Sequence, residues 1–498
     1  MSDEKYSAET GPGESHQFDR SDAPRTAEGL TDWTIPVIPS TRIDPEDWAW
    51  AHEQRKPVDP DITVDQVAAI LLVHQAAGWL PRALNALRRS GERAAVQIAV
   101  DLGSTDGSSD LLMAAVDEGL LDECVTASAD TTPGEGINLA IDRLTDGVTH
   151  IWILHDDVEV RRDSLTCMLR EASRKPHPDV LYPTLLKPAR HNYPEFIDEQ
   201  GQSVSTGGAR VLPVVDRGDI DQKQADPGPI LGGSTAGMFV RVDVWRRLGG
   251  FDPALPLFRD GVDFGWRANE AGMVVRTAPS CTIHHRQAGR GWQRESHLAP
   301  RPDVTDRLAG MRMVAARTGH PTRTSLALLV ASVWRFLVLM VGKAPSRAVD
   351  EWRSGLQLWR SRSVTREMTH RLQDFHAQCD PDDLENTNRL LPSRRSVWAR
   401  AVDRYAGDLS DRIHPWRNED GTTIDDLTGD DFTVRDHRSV VNPYTVMVSL
   451  MVVIGIVACR GLYGSGRATS TWLAPAPCGL AGAWHRWLTA VPGLSGGN

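Results

Sequence analysis

The chain has 498 residues, enough for about three domains at roughly 150 residues each. Hydrophobic residues make up 40% of it, which excludes a wholly disordered, collagen-like or coiled-coil protein. The net charge of −11 argues against a nucleic-acid-binding protein, because neutralising phosphates requires a basic surface. The six cysteines are scattered and form no CxxC pair, a pattern typical of free thiols in a reducing compartment.

The first 62 residues form an acidic extension that we expect to be partly disordered. Residues 1–60 carry 13 acidic and 6 basic side chains, with Pro, Gly and Ser scattered among them. A segment of this composition has too little apolar surface to form a core of its own. Its start also lacks the apolar run and small-residue cleavage site of a secretory signal, so we expect no such signal.

From residue 63 to about 300, short apolar runs alternate with helical patterns, which predicts βαβ units in an α/β domain. The predicted strands span residues 67–73, 96–100, 150–154, 237–241 and 273–277. The predicted helices lie near residues 79–87, 111–116, 137–144 and 164–173, with Ser108 or Ser109 as the cap of the second. This alternation predicts a parallel sheet covered on both faces, with a ligand crevice at the carboxyl ends of its strands.

Two acidic clusters follow predicted strands of this sheet. Asp101 opens the sequence DLGSTDGS, and Asp156 and Asp157 follow the strand at 150–154. Adjacent carboxylates repel unless a cation lies between them, as in a Mg²⁺ or Mn²⁺ site for a nucleotide diphosphate. Asp101 can accept a hydrogen bond from a base or a ribose. The residues alone leave open a solvated acidic pair and a simple helix-cap turn.

The end of the predicted domain contains three further features. Residues 187–230 are irregular and are predicted to form a substrate loop, and a short helix is predicted to begin near Asp260. The segment Cys281–His285 closes the domain. His285 is either a structural histidine or an acceptable Mn²⁺ ligand.

Residues 301–438 are predicted to be largely helical, and two apolar stretches bear on a membrane. The first, Leu326–Val341, contains Arg335, and a central arginine costs about 2.5–3.5 kcal/mol on insertion scales. We therefore predict an interfacial or packed helix near 325–342. Ser439–Cys459 has no charge, and about 20 residues suffice to cross a bilayer. This predicts a transmembrane helix at 439–462 followed by a tail at 463–498, with a buried terminal helix as the alternative.

In their order along the chain, these motifs resemble glycosyltransferase family 2, a family of inverting enzymes with the GT-A fold. The resemblance covers about residues 66–290. It rests on a strand ending near His74, the DLGSTDGS motif, the apolar strand before Asp156 and Asp157, the sequence GGFDP at 249–253, and His284–His285. The fold implied is a Rossmann-like nucleotide-sugar-binding domain, followed here by the helical region and the C-terminal transmembrane helix. Actinobacterial membrane-associated enzymes of the cell envelope are the relatives it most resembles.

The resemblance also implies roles for individual residues. Val73, His74, Asp101 and Asp156 correspond to donor-binding positions. Asp156 and Asp157 stand at the family's DXD motif, which holds ribose and a divalent metal, Mn²⁺ or Mg²⁺. His285 matches a histidine that completes the metal shell in some relatives.

The chain departs from the family pattern at the catalytic base and at the DXD motif. After the GGFDP turn it reads Asp260-Gly261-Val262-Asp263, so Gly261 occupies the position of the usual base. Either Asp260 or Asp263 must then be the base, or activity is lost. Asp260 is the first choice, because Asp263 can instead pair with Arg267 at i,i+4. His155 replaces the first acid of a triple-acid version of the DXD motif.

The activity implied is metal-dependent, inverting transfer of a sugar from a nucleotide-diphosphate sugar to a glycan or lipid-linked acceptor in cell-envelope polysaccharide synthesis. We expect the protein at the cell membrane with its catalytic domain in the cytoplasm, where nucleotide sugars are made. Two alternatives stay open. One is a catalytically impaired nucleotide-sugar- or glycan-binding module that regulates a membrane assembly. The other is a nucleotidyltransferase of related fold, although its glycine-rich basic loop is missing.

Overall fold

A nine-stranded mixed sheet lies at the centre of the fold. The computed structural model describes residues 61–188, 194–215, 217–223, 227–289, 294, 296–341, 344–393, 451 and 454. These residues belong to a unit that begins at Val58. The predicted N-terminal extension lies outside the described residues, except for 61 and 62. The predicted transmembrane helix and tail also lie outside them, apart from Met451 and Ile454.

The sheet has the order β3-β2-β1-β4-β10-β6-β11-β5, with β7 paired to β6, and a separate pair is formed by β8 and β9. The strands are β1 (Val67–Val73), β2 (Val96–Leu102), β3 (Glu123–Ala127), β4 (His150–His155), β5 (Val158–Val160), β6 (Val180–Leu186), β7 (Ile197–Glu199), β8 (Ser203–Val204), β9 (Arg210–Val211), β10 (Phe239–Arg241) and β11 (Val275–His285).

The prediction of a parallel sheet is correct for β1 to β4 and for the pair of β6 and β11, and it is wrong where β5, β7 and β10 join the sheet antiparallel to their neighbours. β10 runs antiparallel to both β4 and β6. The chain enters β10 from a turn at the carboxyl end of β4, where the Gly237 N–H donates to the Ile153 carbonyl at 2.8 Å. Among the described residues between β6 and β10 there is no helix that would return the chain parallel to β4. Gly237 has φ +79°, and a Cβ there would lie 2.4 Å from Ile283 Cδ1, so the turn requires glycine.

Helices cover both faces of the sheet, as predicted. The alternating residues of β1 separate the two cores: Leu71 and Val73 face one, and Ile70 and Leu72 face the other. The helices of this part are α1 (Leu80–Arg88), α2 (Ser108–Asp117), α3 (Pro133–Ile141), α4 (Ser164–Ala172), α5 (Val242–Leu248) and α6 (Asp260–Glu270). α1, α2 and α4 contribute to the first core, and α3, α5 and α6 to the second.

The expected helical region follows the sheet. Its described helices are α7 (Pro302–Ala316), α8 (Pro321–Val341), α9 (Pro345–Arg360), α10 (Arg362–His376) and α11 (Pro381–Asn388). One hydrophobic core joins this region to the α/β part, with Val262 and Trp266 of α6 in the same cluster as Met313 of α7 and Met368 of α10. Within the described residues, α8 is long and apolar enough to cross a membrane, judged by length and composition alone.

Candidate functional site

An open cavity of about 900 Å³ lies at the carboxyl ends of β1, β2 and β4, where the crevice was predicted. The strand ends, the segment around Gly233–Thr235 and the N-terminus of α6 form its walls. Its lining includes Val73, His74, Leu102, His155, Asp157, Glu199, Arg210, Thr235, Phe258, Arg259, Asp260, His285 and Arg294. Five of the eight residues predicted for the site therefore line one cavity: Val73, His74, Asp157, Asp260 and His285.

His74 is held at the end of β1 by two hydrogen bonds. Its backbone N–H donates to Asp156 Oδ2 at 2.8 Å, and its ring Nδ1 lies 2.7 Å from the Leu102 carbonyl oxygen. Because a carbonyl only accepts, this contact assigns the ring proton to Nδ1. The imidazole is thereby oriented at the cavity wall.

Asp156 is buried behind the cavity and is not among its lining residues. Its Oδ1 accepts from Trp79 Nε1 at 3.3 Å and from Arg294, whose guanidinium also lies 5.4 Å from the centre of the Trp79 ring. With the bond from His74, this carboxylate has three donors. Asp156 therefore connects the ends of β1 and β4 and fixes Arg294 at the cavity wall.

Asp157 is brought together with two histidines and not with Asp156. His155, Asp157 and His285 each offer a ligand atom, and these atoms lie within 4.8 Å of one another. His285 Nε2 is 3.4 Å from Asp157 Oδ1, while the Ala288 N–H donates to Asp157 Oδ2 at 2.8 Å. His285 Nδ1 is buried and has no hydrogen-bond partner in the described part of the chain. Two imidazoles and a carboxylate at this spacing fit a divalent transition metal such as Mn²⁺.

Burial and neighbouring charges together set the protonation of these three groups. Burial would lower the pKa of His285, but the Asp157 carboxylate outweighs it and raises that pKa. Burial lowers the pKa of His155 to about 4, so this imidazole is neutral near pH 7 and able to act as a ligand. Burial would raise the pKa of Asp157, but the neighbouring His285 and Arg294 outweigh it and lower that pKa. Asp157 is therefore ionised, which is the state that a cation requires.

Asp101, predicted to contact a nucleoside, is fully buried and outside the cavity lining. Its carboxylate accepts from the Ser104 N–H at 2.9 Å and from the Ser109 hydroxyl. It thus shapes the DLGSTDGS turn. The residue that caps α2 is Gly107, with φ +91°. The prediction that Ser108 or Ser109 caps this helix is therefore wrong.

The DLGSTDGS side chains hold the loop that follows β1. The backbone N–H groups of residues 75, 76 and 77 donate to Ser104 Oγ at 3.0 Å, Ser108 Oγ at 2.8 Å and Asp106 Oδ2 at 2.8 Å. Three consecutive N–H groups are satisfied in this way. The motif therefore positions His74 and its loop at the cavity edge from behind.

Helix α6 packs with its backbone directly against the segment 231–235. A Cβ on Gly261 would lie 2.6 Å from the Gly233 carbonyl oxygen, and one on Gly265 would lie 2.7 Å from the Leu231 oxygen and the Gly232 Cα. Tyr182 adds a hydrogen bond of 2.7 Å to the Gly261 carbonyl. The glycine at the family's base position is thus required by packing.

Asp260 begins α6 and faces the cavity. Burial raises its pKa to about 6. The hydrogen bond from the Gly261 N–H lowers the pKa and offsets only part of this rise. Phe258 and Arg259 precede it with φ of 59° each, in the left-handed region that non-glycine residues seldom occupy. Strained backbone of this kind clusters at functional sites. A carboxylate with a pKa near 6 matches a general base that works near neutral pH.

Asp263, the other candidate base, lies outside the cavity lining and is fully buried. It pairs with Arg267 at 2.8 Å, as the i,i+4 spacing predicted, and with Arg317, the residue directly after α7, at 2.9 Å. Burial would raise the pKa of Asp263, but the two guanidinium groups hold it below its usual value. This carboxylate is fixed as an ion-pair partner.

Sequence reasoning missed Arg294 and two further arginines of the cavity wall, Arg210 of β9 and Arg259. Asp306 of α7 binds both, with Arg210 Nη2 at 2.6 Å and Arg259 Nε at 2.7 Å. Arg210 also pairs with Glu199 at 3.2 Å. No pattern in the sequence marks these residues, because their four chain segments are far apart.

No family model matches the chain. Among curated proteins, it is similar to the N-acetylglucosaminyl-diphospho-decaprenol L-rhamnosyltransferase of Mycobacterium tuberculosis, with 26% identity over 253 residues. The match covers 47% of this chain and 81% of the relative. The predicted resemblance to actinobacterial glycosyltransferases is thus confirmed for about half of the chain.

Solved structures are similar to the chain at lower identity. The mannosyltransferase PcManGT from Pyrobaculum calidifontis, in complex with GDP-Man and Mn²⁺, is 15% identical with a TM-score of 0.35, covering 64% of this chain and 93% of that one. S. aureus TarS 1-349 with UDP-GlcNAc is 11% identical with a TM-score of 0.34, covering 59% and 92%. GalNAc-T7 with UDP, GalNAc and Mn²⁺ is 12% identical with a TM-score of 0.39, covering 51% of each chain.

Proposed function

We propose that the cavity catalyses transfer of a sugar from a nucleoside diphosphate sugar to a lipid-linked or glycan acceptor, with inversion at the anomeric carbon. The observation that carries the proposal is the pairing of two groups in one cavity. The first is the cluster of His155, Asp157 and His285, and the second is Asp260 with its raised pKa. One group serves the leaving diphosphate and the other the attacking hydroxyl.

On the donor side, the three clustered residues would hold a divalent ion next to the diphosphate. When bound, the ion supplies neutralisation of the charge that develops on the leaving group. Arg294, fixed by Asp156, adds a second positive charge at the same wall. The donor set favours Mn²⁺ over Mg²⁺, because imidazole nitrogen suits transition metals and Mg²⁺ prefers oxygen ligands.

On the acceptor side, Asp260 would accept the proton of the hydroxyl that attacks the anomeric carbon. Its burial keeps a fraction of the carboxyl protonated near pH 6, and the ionised form is the active base above that pH. Attack from the side opposite the diphosphate gives inversion in a single displacement. Asp263 stays in its ion pairs and supports helix α6.

The acceptor class follows from the mycobacterial relative, whose name contains a diphospho-decaprenol acceptor. A lipid-linked acceptor would be met at a membrane, and the donor in the cytoplasm. We therefore propose a role in cell-envelope polysaccharide synthesis at the cytoplasmic face of the cell membrane.

The test is a donor panel with the full-length protein: UDP-, GDP- and dTDP-sugars are incubated with Mn²⁺ or with EDTA, and release of the nucleoside diphosphate is measured. We expect Mn²⁺-dependent hydrolysis of one donor class, because a working site transfers sugar slowly to water. Addition of a polyprenyl-diphosphate sugar should raise the turnover. Metal-dependent donor binding without hydrolysis or transfer would instead favour the binding module, which the glycine at position 261 suggests.

A further inference from the structure

We propose that one face of helix α8 docks flat on an anionic lipid bilayer, at the level of the headgroups. This outer face consists of Leu326, Val330, Val333, Trp334, Leu337, Val338 and Met340. The proposal goes beyond sugar transfer. Its test measures lipid contact and not activity, so its failure would leave the catalytic proposal unaffected.

The outer face is apolar and open to solvent in the described part of the chain. Val330 is 62% exposed and Trp334 68%, and the other five side chains are each at least 37% exposed. Their spacing of three and four residues puts them on one side of the helix. An exposed, contiguous apolar stripe of about four turns marks an interaction surface.

The side of α8 that faces the protein carries polar groups together with the buried Leu328. Ser325 and Ser332 are fully buried, and Arg335 reaches Glu351 of α9 at 3.0 Å. A helix on a water-exposed surface has the opposite arrangement, with its apolar stripe inward. The exposed apolar face of α8, together with the polar groups on its inner side, fits a helix with protein on one side and an apolar medium on the other.

Two observations favour a helix that lies on the bilayer over one that crosses it. α9 packs along α8 and carries Asp350, Glu351 and Arg353, which would enter the hydrocarbon with it. Arg335, inside the apolar run of α8 and paired with Glu351, would likewise enter the hydrocarbon of a crossing helix. An amphipathic helix at the interface places only its outer face in the acyl boundary.

Charge and aromatic residues specify the lipid. Residues 321–347 contain four basic residues, Arg323, Arg335, Lys343 and Arg347, and no acidic one, within a chain of net charge −11. Arg335 is neutralised by Glu351 of α9, so the exposed Arg323 at the start of the helix carries the argument. Basic residues beside an amphipathic helix attract anionic headgroups. Trp334, and Trp352 of α9 at 38% exposure, are of the type enriched at membrane interfaces.

The test uses an environment-sensitive probe attached to α8 in the full-length protein, because the charge-free run 439–459 can itself bind vesicles. A nitrobenzoxadiazole label is placed at V330C, and the matched control is M113C on α2, where the native methionine is 53% exposed. Background from native cysteines is measured on the unsubstituted chain. With vesicles of phosphatidylglycerol and phosphatidylcholine, we expect a blue shift and quenching by brominated lipid at position 330 only.

Three results would overturn the proposal. One is an unshifted probe at position 330 in the presence of bound vesicles. Another is a probe already blue-shifted without lipid, which would mean that a second copy or a segment of this chain covers the face. A third is an equal blue shift at position 330 with pure phosphatidylcholine vesicles. In support, R323Q should raise about fivefold the concentration of anionic vesicles needed for the shift at position 330, the factor that corresponds to ~1 kcal/mol.

Discussion

Asp260 and Asp263 lie three residues apart on α6, and their surroundings give them opposite chemistry. Asp260 faces the cavity and accepts a hydrogen bond from the Gly261 N–H. It has no ion pair within the described part of the chain, and burial raises its pKa to about 6. Asp263 lies between two guanidinium groups that lower its pKa. A carboxylate that two arginines hold in the charged state is a poor proton acceptor. A desolvated carboxylate without such partners is a good proton acceptor.

We expect Asp260→Asn to abolish transfer while it stabilises the protein at neutral pH. The folded-state pKa of about 6 exceeds the ordinary 3.8, so ionisation of Asp260 weakens folding as the pH rises through 6, by up to ~3 kcal/mol. The stabilising effect of the substitution should therefore be present at pH 8 and absent at pH 4, measured by urea denaturation. In the native protein, turnover should rise with pH through about 6.

Asp263→Asn is the matched control for that experiment. It removes the charge between Arg267 and Arg317, so it should lower stability near neutral pH, because the two guanidinium groups stay buried without their counter-ion. If instead Asp263→Asn were neutral and Asp260→Asn destabilising at pH 8, the assignment of the two carboxylates would be reversed.

The metal cluster makes a second prediction at the scale of single residues. His155→Ala should weaken binding of Mn²⁺ at least about tenfold, measured by titration calorimetry with the full-length protein. Asp156→Asn should change that affinity much less, because Asp156 faces Trp79 and Arg294 and not the cluster. Equal losses in the two variants would restore the adjacent acidic pair as the metal site.

His155 illustrates what the sequence could reveal at this scale. It ends β4 at the edge where the crevice was predicted, but Asp156 and Asp157 form the turn that follows, so strand alternation could not show which of the two faces His155. The sequence HDD therefore marked the place of the site and not its set of ligands. The contacts of Arg210 and Arg259 with Asp306 carried no such signal.

At the scale of elements, the sequence predicts the strands that are continuously apolar and misses those that are interrupted. β1, β2 and β4 are buried on both faces and are predicted nearly to the residue. β6 contains Pro183, which weakens any strand prediction, and here it lies beside a register shift between β6 and β11. β10 lies within the strand predicted at 237–241, but its direction depends on a turn that the strand pattern does not reveal.

Helix α6 gives a prediction about the glycine at the family's base position. Gly261→Ala should destabilise the protein by about 1–3 kcal/mol, because its Cβ would lie 2.6 Å from the Gly233 carbonyl oxygen. Gly261→Asp should for the same reason fail to increase transfer. Gly78→Ala is the matched control, since a Cβ there has no neighbour within 4 Å, and thermal unfolding compares the two. A stable and more active Gly261→Asp variant would contradict the packing argument.

At the scale of the whole molecule, the helical region is attached to the catalytic part through buried charges as well as a shared core. Arg317, directly after α7, reaches both Asp263 at 2.9 Å and Glu270 at 3.4 Å, and its guanidinium lies 4.0 Å from the centre of the Trp266 ring. Asp306 of α7 binds Arg259, which precedes the proposed base Asp260. The position of Asp260 thus depends on residues beyond the predicted domain end near 300.

This attachment predicts that the two regions unfold together. Arg317→Ala should lower the free energy of unfolding by about 3–5 kcal/mol, because it leaves Asp263 and Glu270 buried with less compensation. Arg366→Ala, at an exposed position on α10, should change it by less than about 0.5 kcal/mol. Tryptophan fluorescence and far-UV circular dichroism should follow one urea transition in both proteins, shifted to lower urea in Arg317→Ala. Two separate transitions in the native protein would mean that the helical region folds independently and that α7 does not support the base.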